Sequence, residues 1–527
     1  MIKEAGVLLS VSSLPSGEGI GTLGAGAYAF VDFLSKAGFR VWQVLPLTPT
    51  REGNSPYSSV CAGALNPLFI DLYDLVRRGL LEEKEISFSP KGKVDYPVVI
   101  SEKERLLRLA FSRFDKDDKD FLAFEKAGRY KEYAVFSTLS EIFGYKSFFE
   151  WKEGYDRYDE KKIEKLLKEH REIYLYHLFT QFFFERQWSA LKAYANERGV
   201  RIFGDMPIYT AMNSVEVYHH PEMFLFEDGR PKKVAGVPPD YFNSEGQLWG
   251  NPLYDWEKMK KDGYRWWRDR IKRELDRFDI LRIDHFRGLD RFYAIDADAE
   301  DAKHGTWMKG PGAALFEGML DLPIVAEDLG YIDDSLREML RKVGFPGMKV
   351  YEFGLDGDPW SEHKPANYAE NVVGYTGTHD NMPFRGYLDS LEEGAFTTAA
   401  RDILVQATAL AVTLPEALDL AKEITGKEGQ GGLAHQKIAY LESLPPKAFL
   451  SLPADKLTEI AIETLLSSEA RLAVVPMQDL LALGEESRMN TPALVSDENW
   501  AWRLDPAALT EDLISRMQSL LQITERA

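Results

Sequence analysis

The chain has 527 residues, 45% hydrophobic and 28% charged, the balance of a soluble globular protein with enough apolar material for a large core. Its 64 basic against 84 acidic residues give a net charge of −20, which argues against nucleic-acid or anionic-membrane surfaces, since both need a positive footprint. A single cysteine, Cys61, excludes an intramolecular disulfide and a cysteine-rich metal site, and fits a reducing, cytoplasmic compartment; no apolar run is long enough to span a bilayer.

The first stretch, MIKEAGVLLSVSSLPSGEG, carries Glu4 ahead of a brief apolar segment and lacks a small-residue cleavage site, so it reads as a strand (Val7–Leu14) rather than a leader. GIGTLGAG (Gly19–Gly26) follows and partly matches a dinucleotide-type glycine pattern, but no P-loop lysine or ribose-binding acid accompanies it. Tyr28, Phe30, Val31 and Leu34 recur at helical spacing, which predicts a helix over Ala25–Ala37 with Gly38 as C-cap. A second strand, Val41–Leu47, is separated from the third, Arg201–Tyr209, by far more than one crossover helix. Within that gap Ile163, Leu166, Leu167, Ile173 and Leu178 give a helical period over Lys161–Arg198, stopped by Gly199. The spacing therefore predicts a largely helical insertion over residues 71–190.

Residues 210–270 read as an aromatic loop and helices; Gly236–Trp256 alone holds Tyr241, Phe242, Trp249, Tyr254 and Trp256. The remaining strands are Ile280–Phe286, Pro323–Leu329, Gly347–Phe353, Val372–Asp380 and Leu472–Leu481. Before the last comes a second helical insertion, residues 390–470, punctuated by Pro415, Pro445, Pro446 and Pro453. Continuous apolarity is the pattern of strands covered on both faces, and eight of them with helical connections predict one (β/α)8 TIM barrel over residues 1–527 with inserted subdomains.

The charged residues fall at the C-terminal ends of these strands: Asp205 on the third, Arg282 and Asp284 on the fourth, Glu327 on the fifth, His379 and Asp380 on the seventh. Any one of them alone reads equally as a turn cap or a structural ion pair. Together, on the face where such barrels carry their active sites, they suit glycosyl transfer or hydrolysis, which needs one ionised and one protonated carboxyl. Alternation puts Arg282 on the face of Asp284 about 6–7 Å along the strand, and a guanidinium favours an ionised carboxyl. Glu327 follows the apolar Ile324-Val325-Ala326, and burial favours its protonated form; Asp328 should point to the other face. Asp380, with His379 beside it, suits hydrogen bonds to sugar hydroxyls. Aromatic loop rings suit the flat apolar faces of glucose, or simply pack on the barrel. Tyr218-His219-His220 lacks metal-ligand spacing.

RIDHFRG, AEDLG and TGTHDN, in that order, resemble the motifs of the amylomaltases, the 4-α-glucanotransferases of glycoside hydrolase family 77, related to α-amylases. SSLPSGEGIGTLG, SPYSS, NPLFIDL, GDMPIY, AGVPPDYFNSEGQLWGNPLYDW, PGMKV and RMNTP reinforce the likeness over roughly residues 5–504. The resemblance implies a retaining enzyme with Asp284 as nucleophile, Glu327 as acid/base and Asp380 as transition-state stabiliser. It implies sugar contacts by Tyr57, Asp205, Arg282, His379, Trp249 and Asn490, α-1,4-glucan donor and acceptor as partners, and no metal or other cofactor. Met382-Pro383-Phe384 after THDN and Ala493-Leu494 after RMNTP depart from the family pattern at the expected cleft mouth. An α-glucan hydrolase using the same residues, and a non-catalytic glucan-binding barrel, stand as alternatives.

Overall fold

The computed structural model describes residues 3–50, 52–88, 92–239, 245–330, 332–410 and 434–526. Tyr241 and Phe242 of the aromatic loop and Pro415 of the second insertion lie outside them.

Eight strands form one parallel sheet: β1 (Glu4–Leu8), β2 (Val41–Gln43), β3 (Arg201–Met206), β4 (Ile280–Ile283), β5 (Ile324–Ala326), β6 (Gly347–Val350), β7 (Val372–Tyr375) and β8 (Leu472–Pro476). The order is β5-β4-β3-β2-β1-β8-β7-β6. The outer pair close the ring: Ala326 N–H donates to Pro346 O (2.9 Å) and Met348 N–H to Asp328 Oδ1 (2.6 Å). The (β/α)8 barrel expected from the apolar runs is the architecture. Nearly every strand residue is buried, as strands covered by helices outside and side chains inside must be.

Several ladders end earlier than the apolar runs imply. β1 stops at Leu8, and Val11–Ser13 forms a 3-10 turn capped by Ser10; β2 stops at Gln43, ahead of Pro46. β6, β7 and β8 give way after Val350, Tyr375 and Pro476, with Tyr351–Gly354 and Met477–Leu480 already helical. The turns on this face are buried, so apolarity runs past the last ladder bond and cannot mark where it falls.

The helix Ala25–Ala37 ends on Gly38 at φ 92°, whose N–H reaches Leu34 O and Ser35 O. The glycine pattern ahead of it serves close packing. A Cβ on Gly21 would sit 1.8 Å from Val11 O and one on Gly26 1.9 Å from Pro15 O.

Between β2 and β3 lie the helices Leu72–Arg77, Tyr96–Arg113, Lys119–Ala127, Lys131–Ile142, Glu160–Glu169 and Arg171–Glu197. The expected helix over Lys161–Arg198 is two, broken at His170. Phe111, Phe114, Phe121, Phe179, Phe182 and Phe183 interlock edge-to-face between them. Lys103, fully buried, pairs with Glu18 and donates to Ile70 O (2.6 Å), pinning Tyr96–Arg113 to the loop after β1.

Residues 210–270 hold more than loop and helices. Lys233–Val237 and Gln247–Pro252 are strands of a four-stranded antiparallel sheet with Arg291–Asp296 and Gly305–Lys309. Their shortness and the glycines within them disguise them as loop. Glu393–Ala409 and Ala454–Leu466 of the second insertion pack with Tyr351, Phe384 and Leu388 in a second core.

Candidate active site

Strand register brings the first three polar residues together. Asp205 on β3 stands level with Arg282 on β4, and Arg282 with Val325 on β5. Arg282 Nη1 donates to both oxygens of Asp205 (2.8 and 2.7 Å) and lies 2.8 Å from Asp284 Oδ1. One guanidinium thus serves two carboxyls, as the alternation along β4 requires. The Asp205 side chain is 0% exposed and that of Asp284 26%, so Asp284 alone of the two faces the cleft. Burial pushes the Asp205 carboxyl above its ordinary range against the pull of Arg282.

Tyr57, from the loop after β2, donates its hydroxyl to Asp205 Oδ2 (2.7 Å), and its ring stacks on His379 at 4.9 Å between centroids. Burial keeps that phenol un-ionised, pushing it well above its usual range. His379 Nε2 is 3.4 Å from Asp380 Oδ2, and Asn490 Nδ2 donates to Asp380 Oδ1 (2.7 Å). Arg488 Nη2 holds Asp380 O (2.9 Å) while its Nε holds Asn490 O (2.8 Å). The Asp380 carboxyl remains 46% exposed, open to a ligand.

Glu327 follows β5 as Asp284 follows β4, so the two carboxyls end adjacent strands. Leu329 N–H donates to Glu327 Oε1 (2.8 Å) and His285 N–H to Oε2 (2.7 Å). Both bonds favour the carboxylate, and so does Arg282, but burial outweighs them, with the charge of Asp284 adding to it. The Glu327 carboxyl is pushed up to about 7. Its neighbour Asp328 points away, to Met348 N, as alternation predicts.

His285 completes the arrangement; the sequence marked it only as a polar residue in an apolar strand and gave it no role in the site. Its φ of 47° lies in the left-handed region, unusual for a non-glycine residue and concentrated at functional sites. That turn aims its N–H at Glu327 and sets its ring edge-to-face against Trp249, 4.8 Å between centroids. Burial pulls the imidazole down to about 4, so it is neutral. Trp249 is 36% exposed, whereas Tyr254 and Trp256 of the same segment are buried and pack together. Trp500, at φ 63°, backs Tyr57 and His379 with centroids at 5.9 and 5.8 Å. For His285 the available signal was its place beside Asp284; for Trp500 there was none.

All nine residues singled out from sequence therefore meet on the C-terminal face of the barrel. Trp249 contacts His285, whose N–H holds Glu327, and from the neighbouring Asp284 a chain of contacts runs through Arg282, Asp205, Tyr57, His379 and Asp380 to Asn490. Two carboxyls at the ends of neighbouring strands, one ion-paired and one holding its proton to near neutrality, are equipped for nucleophilic and acid–base work on an acetal.

A family model described as 4-alpha-glucanotransferase, glycoside hydrolase family 77, matches residues 9–510. A 4-alpha-glucanotransferase of Aquifex aeolicus is 39% identical over 512 residues, covering 95% of this chain and 96% of that protein. One from Thermus thermophilus is 38% identical over 535 residues, covering 99% and 98%. The amylomaltase from Streptococcus agalactiae, solved in complex with acarbose, matches with a TM-score of 0.86 at 35% identity, with 100% of both chains covered. Sequence and fold agree over the whole barrel, and the chain belongs to the 4-alpha-glucanotransferase family.

Proposed function

We propose that the protein is a retaining 4-α-glucanotransferase that moves α-1,4-glucan segments between maltooligosaccharides or starch-type glucans. The observation that carries this reading is the pairing of Asp284, held by Arg282 at 2.8 Å, with a proton-holding Glu327 on the adjacent strand end. Asp284 Oδ attacks the anomeric carbon as the bond from that carbon to the 4-oxygen breaks, and Glu327 gives its proton to the departing oxygen. Two main-chain N–H groups then stabilise the Glu327 carboxylate. In the second half Glu327 takes the proton of an acceptor 4-hydroxyl, whose oxygen displaces Asp284, so two inversions give retention. Asp380, steadied by Asn490 and Arg488, receives sugar hydroxyls, and Tyr57, Asp205 and His379 shape the wall behind it. Trp249 offers an apolar face to a glucose unit. The acarbose complex of the Streptococcus agalactiae amylomaltase supports a saccharide in this cleft. The lone buried cysteine is consistent with a cytoplasmic setting.

Maltotriose separates transfer from hydrolysis. A transferase yields glucose and a ladder of longer oligomers at nearly constant reducing-end concentration; steadily rising reducing ends identify a hydrolase, and no turnover identifies a binding protein. The pH profile has a set direction. Glu327 must be protonated to release the donor's leaving group and is pushed up to about 7 in the free protein, so kcat/KM for donor cleavage falls as pH rises through that value. A rate that holds flat well into the alkaline range removes Glu327 from the acid role.

A further inference from the structure

The turn that carries His379 and Asp380 is tied to a buried carboxyl which the proposed chemistry does not use. Glu352 lies just past β6, in the turn Tyr351–Gly354, and its N–H donates to Thr376 O (3.1 Å) at the end of β7. Its Oε1 accepts from Asn381 Nδ2 (2.9 Å). Asn381 Oδ1 in turn accepts from Thr378 N–H (2.9 Å) and Thr378 Oγ1 (2.8 Å). The main-chain N–H of Thr378 can only donate, so the Asn381 amide is oriented: its oxygen faces Thr378 and its nitrogen faces Glu352. His379 and Asp380 are the two residues spanned by this bridge.

Asp479 secures the ends of the same segment, accepting from Thr376 Oγ1 (2.5 Å) and Phe384 N–H (2.7 Å). From the side of β6, the Glu352–Asn381 contact holds the middle. We propose that Glu352, acting through Asn381, is a positioning residue that fixes the His379–Asp380 turn in its working geometry.

The second oxygen, Oε2, is buried without a hydrogen-bond partner, 3.7 Å from where a Cβ on Gly377 would stand. A bare buried oxygen suits an un-ionised acid, since a carboxylate there would lose its solvation without compensation. Burial, with the nearby Asp479 charge and against the Asn381 hydrogen bond and the pull of Arg488, pushes Glu352 up to about 8. The carbonyl of a neutral acid meets the need of Asn381, and the amide oxygen of glutamine does the same.

The inference rests on the transferase reading, so wild-type transfer from maltotriose is measured first; if it is absent, that reading fails and this one with it. Given a working wild type, Glu352→Ala is expected to lower kcat about 100-fold while KM moves less than about threefold. Glu352→Gln is expected to restore kcat to within about threefold of wild type, because it keeps the acceptor and the neutral charge. Circular dichroism and thermal unfolding of both variants confirm that folded proteins are compared. Combining Glu352→Ala with Asn381→Ala should cost no more than the worse single change, since both cut one bridge. Wild-type kcat in Glu352→Ala, equal losses in the alanine and glutamine variants, or multiplicative losses in the double variant would each overturn the proposal.

Discussion

Asp284→Asn should reduce transfer from maltotriose by at least about four orders of magnitude, because an uncharged amide cannot form the glycosyl ester on which both halves of the reaction depend. The same change should hardly move the melting temperature. Arg282 keeps both bonds to Asp205, and the Asp284 side chain is partly exposed, so no charge is left buried without a partner. Loss of activity without loss of stability separates a nucleophile from a structural member of an ion-pair network. The covalent step has its own test. A maltosyl fluoride donor carries a leaving group that needs no acid, so Glu327→Gln should be glycosylated normally and deglycosylated slowly. Peptide mapping after a quench should then place a maltosyl group on Asp284. A variant at Asp284 that still transfers, or an adduct on a different residue, would remove it from the role.

Arg282→Met should damage both stability and chemistry. The guanidinium is the cation touching Asp205, whose side chain is wholly enclosed, and taking one partner from a buried ion pair costs about 3–5 kcal/mol. The sign of the pH effect follows from the direction of the Asp205 shift. Burial already raises this carboxyl above its ordinary range in the native protein, and losing Arg282 raises it further. Such a group binds its proton more tightly folded than unfolded, so stability is highest below the unfolded value and is lost as pH rises through the folded one. Urea midpoints should therefore show the largest deficit at alkaline pH and a smaller one in acid. Adding Asp205→Asn should recover much of the stability but none of the turnover, since Asp284 still lacks its partner. Arg282→Lys should rescue poorly, because Nη1, which meets both oxygens of Asp205 and also Asp284, stands farther out along its side chain than a lysine ammonium reaches. Stability in Arg282→Met equal to wild type at every pH would refute this account.

The barrel was legible because burial on both faces leaves an unbroken apolar imprint, and the contact between Arg282 and Asp284 was legible because a strand repeats its face every second residue. Asp328 pointing away from Glu327 followed from the same rule. Loops have no period. Tyr57 and Asn490 were reached through resemblance alone, Trp249 through loop composition and resemblance together, and no role was assigned to Trp500 or His285; the left-handed turn at His285 is not written in its residue type. The composition of Gly236–Trp256 marked its aromatic residues without sorting them. Trp249 stayed in the cleft on the strand Gln247–Pro252, whose sheet depends on strands distant in sequence, while Tyr254 and Trp256, past the end of that strand, became core. The bridge from Glu352 to Asn381 spans two strand ends and carries no local pattern.

The seam between β5 and β6 gives the chain a form of error-proofing. Glu327 and Asp328 are adjacent acids of opposite duty, and a slip of one residue in β5 would exchange them, aiming a structural staple at the sugar. A ladder of only three residues, Ile324–Ala326, is a weak guard against such a slip. The guard is Gly347: the Asp328 oxygens occupy the space its Cβ would need, as close as 2.5 Å, so the acid and the bare backbone fit like key and ward. The frame in which the active site is read is thus set by a glycine that lies outside the catalytic cluster.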